Sequence, residues 1–219
     1  MNLLSLILLV AQAGSVAKEP VPDFTVAVGP KLPSYRLHFI WDEDPNYKVV
    51  NAIQVFKGDS NEPVQVLDDC EMTNPPDDPV AVNSWLKTED FNFDGYLDLA
   101  LVNWMGGTGN VGYCIWMFDS KTEKYILNPQ FSELIGNHKI DPAAKTITTS
   151  SNGSADTGSL QIYTVRENKL ILILEEIQEE AKGKCPIHWL RREQRDGKLV
   201  VTAEEWFKPG DNGEQPCTP

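Results

Sequence analysis

From residue 24 to residue 207 the sequence alternates short β-prone runs with turn residues and nowhere sustains a long helical period. The runs fall at 24–28, 35–41, 49–56, 64–67, 80–86, 97–104, 113–118, 125–127, 146–150, 160–165, 170–177, 188–192 and 199–207. They are rich in Val, Ile, Thr and aromatic residues, which suit a pleated, half-buried surface. Glu167-Asn168 and Asp196-Gly197 read as tight hairpin turns. The one helical candidate is a turn or two near 130–135. Short strands at roughly 8–12-residue spacing predict an all-β, antiparallel fold of about a dozen strands, as a propeller-like, barrel or sandwich array. No repeat of blade length recurs, so a regular propeller is not demanded.

A chain of 219 residues with 41% hydrophobic side chains can bury a sizeable core. The expected organisation is a signal peptide at 1–17 and one β domain at 18–219. Residues 3–10 form an apolar stretch too short to span a bilayer, and small-residue cleavage sites follow at Ala11-Gln12-Ala13 and Ser15-Val16-Ala17. No Lys or Arg precedes that stretch. Export to the periplasm or the medium is therefore expected. The four cysteines, Cys70, Cys114, Cys185 and Cys217, allow two disulfides in three connectivities. Cys185 and Cys217 bracket the final hairpin and its Gly/Asp-rich tail. That favours Cys185–Cys217 and leaves Cys70–Cys114.

Net charge is −13. Such a surface repels phosphate backbones and anionic headgroups, so nucleic acid and membrane surfaces are not expected partners. It suits a divalent cation or a basic protein, as a monomer or small oligomer.

The strongest chemical signal is Asp90-Phe91-Asn92-Phe93-Asp94-Gly95-Tyr96-Leu97-Asp98. Calcium takes six to eight oxygen ligands in flexible geometry. Asp90, Asn92 and Asp94 alternate through one tight loop, and Gly95 permits a positive φ at the bend. The Tyr96 carbonyl and the Asp98 carboxylate would complete the set. An EF-hand closes on a bidentate Glu and is flanked by helices. Here the stretch after Asp98 is apolar, Leu99-Ala100-Leu101-Val102, and both flanks read as strands. The spacing predicts a strand-flanked calcium loop, against the plainer alternative of an Asx-rich turn without metal.

Beyond this loop come Gly106-Gly107-Thr108-Gly109-Asn110, Tyr113-Cys114-Ile115-Trp116-Met117-Phe118-Asp119 and Thr122-Glu123-Lys124-Tyr125-Ile126-Leu127-Asn128. With it, these segments resemble a family of bacterial periplasmic proteins that carry one integrin-like calcium loop in a propeller-like β fold. That family includes immunity proteins against peptidoglycan hydrolases delivered by type IV secretion systems. More distantly, the sequence is similar to periplasmic inhibitors of invertebrate-type lysozyme. The resemblance spans roughly residues 80 to 180. It implies that a loop of the scaffold enters a hydrolase cleft; by position this is the loop carrying Asn152, Gly153, Ser154, Ala155, Asp156 and Thr157. The sequence departs from the Ser-Gly-x-x-Tyr motif of the lysozyme inhibitors: Ala155 follows Ser154, and the nearest downstream tyrosine is Tyr163.

Other patterns read as structure. Gly107-Thr108-Gly109-Asn110-Val111-Gly112 spells GxGxxG but lies between two strand runs, where no dinucleotide site forms. Gly58-Asp59-Ser60-Asn61 lacks a suitably placed histidine partner for esterase chemistry. Trp85, Trp104, Trp116, Trp189 and Trp206 are expected mostly in the core, with a subset free to stack on sugars. Glu175, Glu176, Glu179 and Glu180 read as a solvated strand end. No catalytic residue is assigned. The expectation is a binding protein that inhibits a peptidoglycan hydrolase; the alternative is a calcium-dependent carbohydrate-binding or adhesion module.

Overall fold

The computed structural model describes residues 23–41, 50–70, 85–154, 157–210 and 213–219. Its strands form three open antiparallel sheets, a sandwich-like all-β arrangement rather than a closed barrel. The first sheet joins β1 (Phe24–Val26), β2 (Tyr35–Trp41), β3 (Val50–Lys57) and β4 (Gln65–Leu67). The second joins β5 (Leu86–Glu89), β6 (Asp98–Met105), β7 (Val111–Asp119) and β8 (Lys124–Leu127). One helical turn, α1 (Pro129–Ser132), follows, with the Asn128 side chain capping it at the Gln130 and Phe131 amides. The third sheet is a seven-strand meander of β9 (Asn137–Asp141), β10 (Thr146–Ser154), β11 (Thr157–Arg166), β12 (Lys169–Glu180), β13 (Ile187–Arg195), β14 (Lys198–Gly210) and β15 (Gly213–Pro216).

The two expected tight turns form as read. Glu167 and Asn168 have φ of 52° and 58°, Asp196 and Gly197 of 50° and 79°. Positive φ at both central residues matches the right-handed twist of the strands they join. The GxGxxG stretch is likewise a turn: the Gly106 amide donates to the Asn110 carbonyl at 2.8 Å. β9 and β15 were not anticipated, because their sequences are mostly polar, with Ile140 the one strand-forming residue of β9. The 80–86 run lies largely outside the described residues, and β5 begins at its last residue.

The core sits between the first two sheets. β2 alternates buried and half-buried residues, as a one-sided strand should, whereas β7 is buried continuously from Gly112 to Phe118. Tyr35, Phe118 and Tyr125 meet edge to face, with Tyr35–Phe118 centroids at 5.5 Å and Phe118–Tyr125 at 5.1 Å. Such pairs add to the free energy of burial alone. Among the described residues the third sheet contributes buried Ile147, Val165 and Leu170 to this core, with half-buried Ile140 and Tyr163 packed against it. Trp85 and Trp116 are buried, but Trp104, Trp189 and Trp206 are only half-buried, which corrects the expectation that they are mainly core. Glu175 is also corrected. It is buried and accepts from Gln161 Nε2 (2.8 Å) and Arg192 Nη1 (2.9 Å). A carboxylate so paired is tolerated inside, because its lone pairs are filled.

Three side-chain amides fasten the sheets together. Gln65 Nε2 donates to the Tyr125 carbonyl (2.6 Å), and Gln65 Oε1 accepts from the Tyr125 amide (2.9 Å), joining β4 to β8. Gln130 on α1 makes the same two-way bond with the Leu170 backbone of β12, at 3.0 Å in each direction. Asn110, in the β6–β7 turn, does so with Asn152 of β10, at 2.7 and 2.8 Å. A carboxamide offers a donor and an acceptor side by side, so it copies one rung of a β ladder. The disulfides are Cys70–Cys114 and Cys185–Cys217, with Cα separations of 6.1 and 5.8 Å. The first ties the segment after β4 to β7; the second pins the C-terminal tail to the segment before β13. Both pairings are those the sequence favoured.

Replacing Gln65 with Ala removes both halves of one rung and leaves the backbone of buried Tyr125 unpaired. Loss of about 1–3 kcal/mol is expected, read as a lower urea midpoint at unchanged slope. A change below about 0.5 kcal/mol would show that the sheets hold together without this rung.

Candidate functional site

The Asp90–Asp98 segment is the connection of the β5–β6 hairpin, so both its flanks are strands, as the spacing predicts. Phe91 turns into the core with no exposed surface, and Phe93 packs at its edge. The intervening Asp90, Asn92 and Asp94 cap the loop's own amides. Asp90 Oδ1 accepts from the Asp94 amide (3.1 Å) and Oδ2 from the Gly95 amide (2.9 Å). Asn92 Oδ1 accepts from the Asp94 amide at 3.2 Å, and Asp94 Oδ1 from the Tyr96 amide at 3.0 Å. Gly95 takes φ 90°, the conformation its lack of a Cβ permits.

The loop is seated by its neighbours. The Leu97 amide donates to the Val28 carbonyl (2.8 Å), and the Tyr96 ring lies against Phe118. A Cβ on Gly29 would fall 2.7 Å from Tyr96 Cδ1. Asn92 Nδ2 reaches Asn168 Oδ1 (3.1 Å) in the β11–β12 turn, which couples the loop to the third sheet.

Asp98 differs from the other acids. It is fully buried, and its oxygens accept from the Phe91 amide (2.9 Å) and the Phe118 amide (2.8 Å). Burial pushes its carboxyl up to about 7; the two amides oppose the rise, and the negative charges of Asp94 and Asp90 add to it. One strand earlier, Glu89 is held below the usual carboxylate range by its contact with His138 Nε2, against the cost of burial.

The donor set suits a hard divalent cation: three carboxylates, the Asn92 amide oxygen and a backbone carbonyl at Tyr96, with no cationic side chain to balance them inside the loop. Against this, among the described residues no group of three His, Cys, Asp or Glu side chains is gathered into a metal cage. The carboxylates are instead satisfied by backbone amides. The observation in favour is the unbalanced charge that Asp90 and Asp94 impose on buried Asp98. Calcium held by Asp90, Asn92, Asp94, the Tyr96 carbonyl and Asp98 would neutralise that charge and fix the hairpin. It would supply rigidity, not reaction chemistry.

The second sequence-predicted site lies at the β10–β11 hairpin. Asn152, Gly153 and Ser154 end β10 and Thr157 begins β11; Ala155 and Asp156 lie outside the described residues. Thr157 Oγ1 accepts from the Ser154 amide (2.6 Å), and Asn152 is held by Asn110. Sequence reasoning missed the part played by Asn110, although the Gly-Gly-Thr-Gly-Asn turn had drawn notice. The acidic loop meets the opposite end of β11, at Asn168. A strand of 10 residues spans roughly 30 Å, so the structure does not bring the two sites together.

Fold and geometry define an antiparallel all-β protein with a strand-flanked acidic loop and a β10–β11 hairpin clasped at Asn152. No family model matches the chain, and no curated relative matches it either. Among solved structures it is similar to one described as a Xanthomonas Type IV Secretion System related protein. The likeness covers 84% of this chain and 95% of that one, with TM-score 0.56 and 16% identity. At that identity it speaks to the fold.

If the loop binds calcium, 1 mM calcium should raise the melting temperature over that in chelator, because a ligand that binds only the folded state stabilises it. Asp90→Ala and Asp94→Ala should abolish the difference. Asp98→Ala should also lower the chelated baseline by about 1–3 kcal/mol, since it strands two amides. Identical melting of the wild type in calcium and chelator would contradict the calcium assignment.

Proposed function

We propose that this chain is an exported, calcium-stabilised binding protein that inhibits a peptidoglycan hydrolase, in the manner of an immunity protein. The observation that carries the reading is the Asn110–Asn152 clasp, which fixes the backbone of β10 at Asn152, beside the hairpin connection, from a neighbouring sheet. A recognition loop held in place before binding loses less conformational entropy when it docks. The calcium loop, at the far end of β11, acts as a brace for the scaffold without touching the target.

Three further features support the reading. Two disulfides suit a chain that works outside the reducing cytoplasm. Net charge −13 favours encounter with a cationic wall hydrolase. The fold is shared with a protein described as related to a type IV secretion system, which fits a role beside secreted effectors.

The test is a panel of muramidases acting on peptidoglycan with and without micromolar protein. Shortening 152–157 to a two-residue turn should abolish inhibition while calcium-dependent melting stays as in the wild type. Asp98→Ala should lower stability first and inhibition only as the protein unfolds. A panel in which no muramidase slows would refute the proposal, and inhibition that survives the shortened hairpin would move the contact surface elsewhere.

A further inference from the structure

The third sheet carries a groove of about 310 Å³ that begins beside the β10–β11 hairpin and runs away from it to Trp189 on β13, beyond the residues the hydrolase reading uses. Its floor is set by register. Asn152 pairs with Gly158, Gly158 with Gln178, and Gln178 with Trp189, so one cross-strand row runs over β10, β11, β12 and β13. Two residues along each strand, and therefore on the same face, a second row passes through Ser150, Leu160 and Glu176. Where the first row crosses β11 the residue is Gly158. With no side chain there, the row dips between Asn152 and Gln178 and rises again at Trp189.

Trp189 is unlike the other described tryptophans. Trp85 and Trp116 are buried, Trp41 meets Phe39 and Trp85, Trp104 lies over Gly112, and Trp206 stacks on His188 with centroids 4.0 Å apart. Among the described residues Trp189 meets no aromatic ring and is half-buried at the wall of the groove. Beside it, Glu176 is held by Arg191 Nη1 at 3.1 Å, and Arg191 is held in turn by Glu193. The Glu176 carboxylate is thus fixed in place.

We propose that this groove binds a short saccharide, with Trp189 as the stacking platform and Glu176, Gln178 and Asn152 as hydrogen-bonding partners for its hydroxyls. The chemistry selects this class. Among the described residues no Lys or Arg lines the groove, and Arg191 beside it is already paired with Glu176 and Glu193, so a phosphate or carboxylate ligand has no dedicated counter-charge. Serine, threonine and amide side chains make up most of the wall, which gives a wholly apolar ligand little dry surface. A sugar ring has both surfaces required: C–H bonds for an indole face, and hydroxyls that both donate and accept. Four adjacent strands span roughly 14 Å, enough for an oligosaccharide rather than a single ring.

The inference does not rest on hydrolase inhibition, and the experiment separates the two through Trp189, which lies on β13 outside the hairpin. Full-length exported protein is titrated with chitotriose and, separately, cellotriose by calorimetry, and its retention on insoluble peptidoglycan is measured alongside. Saturable binding of either trisaccharide is expected. Trp189→Ala should weaken it about tenfold with unchanged melting, and Trp189→Phe should restore part of it. Retention on peptidoglycan that is likewise lost in Trp189→Ala would identify wall glycan as a source of the ligand. Absence of binding at about 10 mM of both sugars, or binding indifferent to Trp189→Ala, overturns the proposal.

Discussion

A carboxylate with no exposed surface holds the central hairpin of this protein in place. Asp98 accepts one hydrogen bond from Phe91, at the entrance of the acidic loop, and another from Phe118, on the strand beyond. Burying a carboxylate costs several kcal/mol unless its lone pairs are filled. Here two backbone amides fill them, and they come from either side of β6. The loop therefore cannot leave its position without exposing Phe91 and releasing a strand at the centre of the core. The same carboxylate feels Asp90 and Asp94 across the loop, so any cation that settles there acts on the core as well as on the turn.

Away from this point the sheets are joined by few contacts of high specificity. Gln65, Gln130 and Asn110 each copy a rung of β ladder across a boundary between elements. Such joints fix relative position without requiring a continuous apolar interface. This matters for the seven-strand sheet, whose outer strands stand largely clear of the core. Its faces consequently carry features that the core does not use: a hairpin clasped at Asn152 at one end of β11, and a groove across β10 to β13 with Trp189 at its wall.

Much of this was legible in the sequence. Apolar and β-branched runs marked most strands, since burial is what those residues encode. The two tight hairpin turns were legible because Asn168, Asp196 and Gly197 are residues that accept positive φ. β9 and β15 escaped notice: Asn137–Asp141 and Gly213–Pro216 are polar edge strands whose pairing comes from their neighbours. Glu175 was misplaced because its burial depends on Gln161 and Arg192, which only the sheet register brings beside it. The loop Asp90–Asp98 was visible as a spacing, but the burial of Asp98 and its bond to Phe118 were not. The groove was legible only in part: Asn152, Ser154 and Thr157 belong to the loop marked in the sequence, and Trp189 to the tryptophans of which a subset could stack on sugars, but their meeting with Glu176 and Gln178 was not legible. Its residues are scattered over four strands and meet only through cross-strand pairing.

The coupling of the acidic loop to the core through Asp98 is tested most directly by amide hydrogen exchange at Phe91 and Phe118, with and without calcium. Both amides should open only with the cooperative unfolding of the central sheet, at one shared free energy. Calcium should slow both by the same factor. Fast exchange at Phe91, at the rate of an exposed turn and indifferent to calcium, would contradict the account.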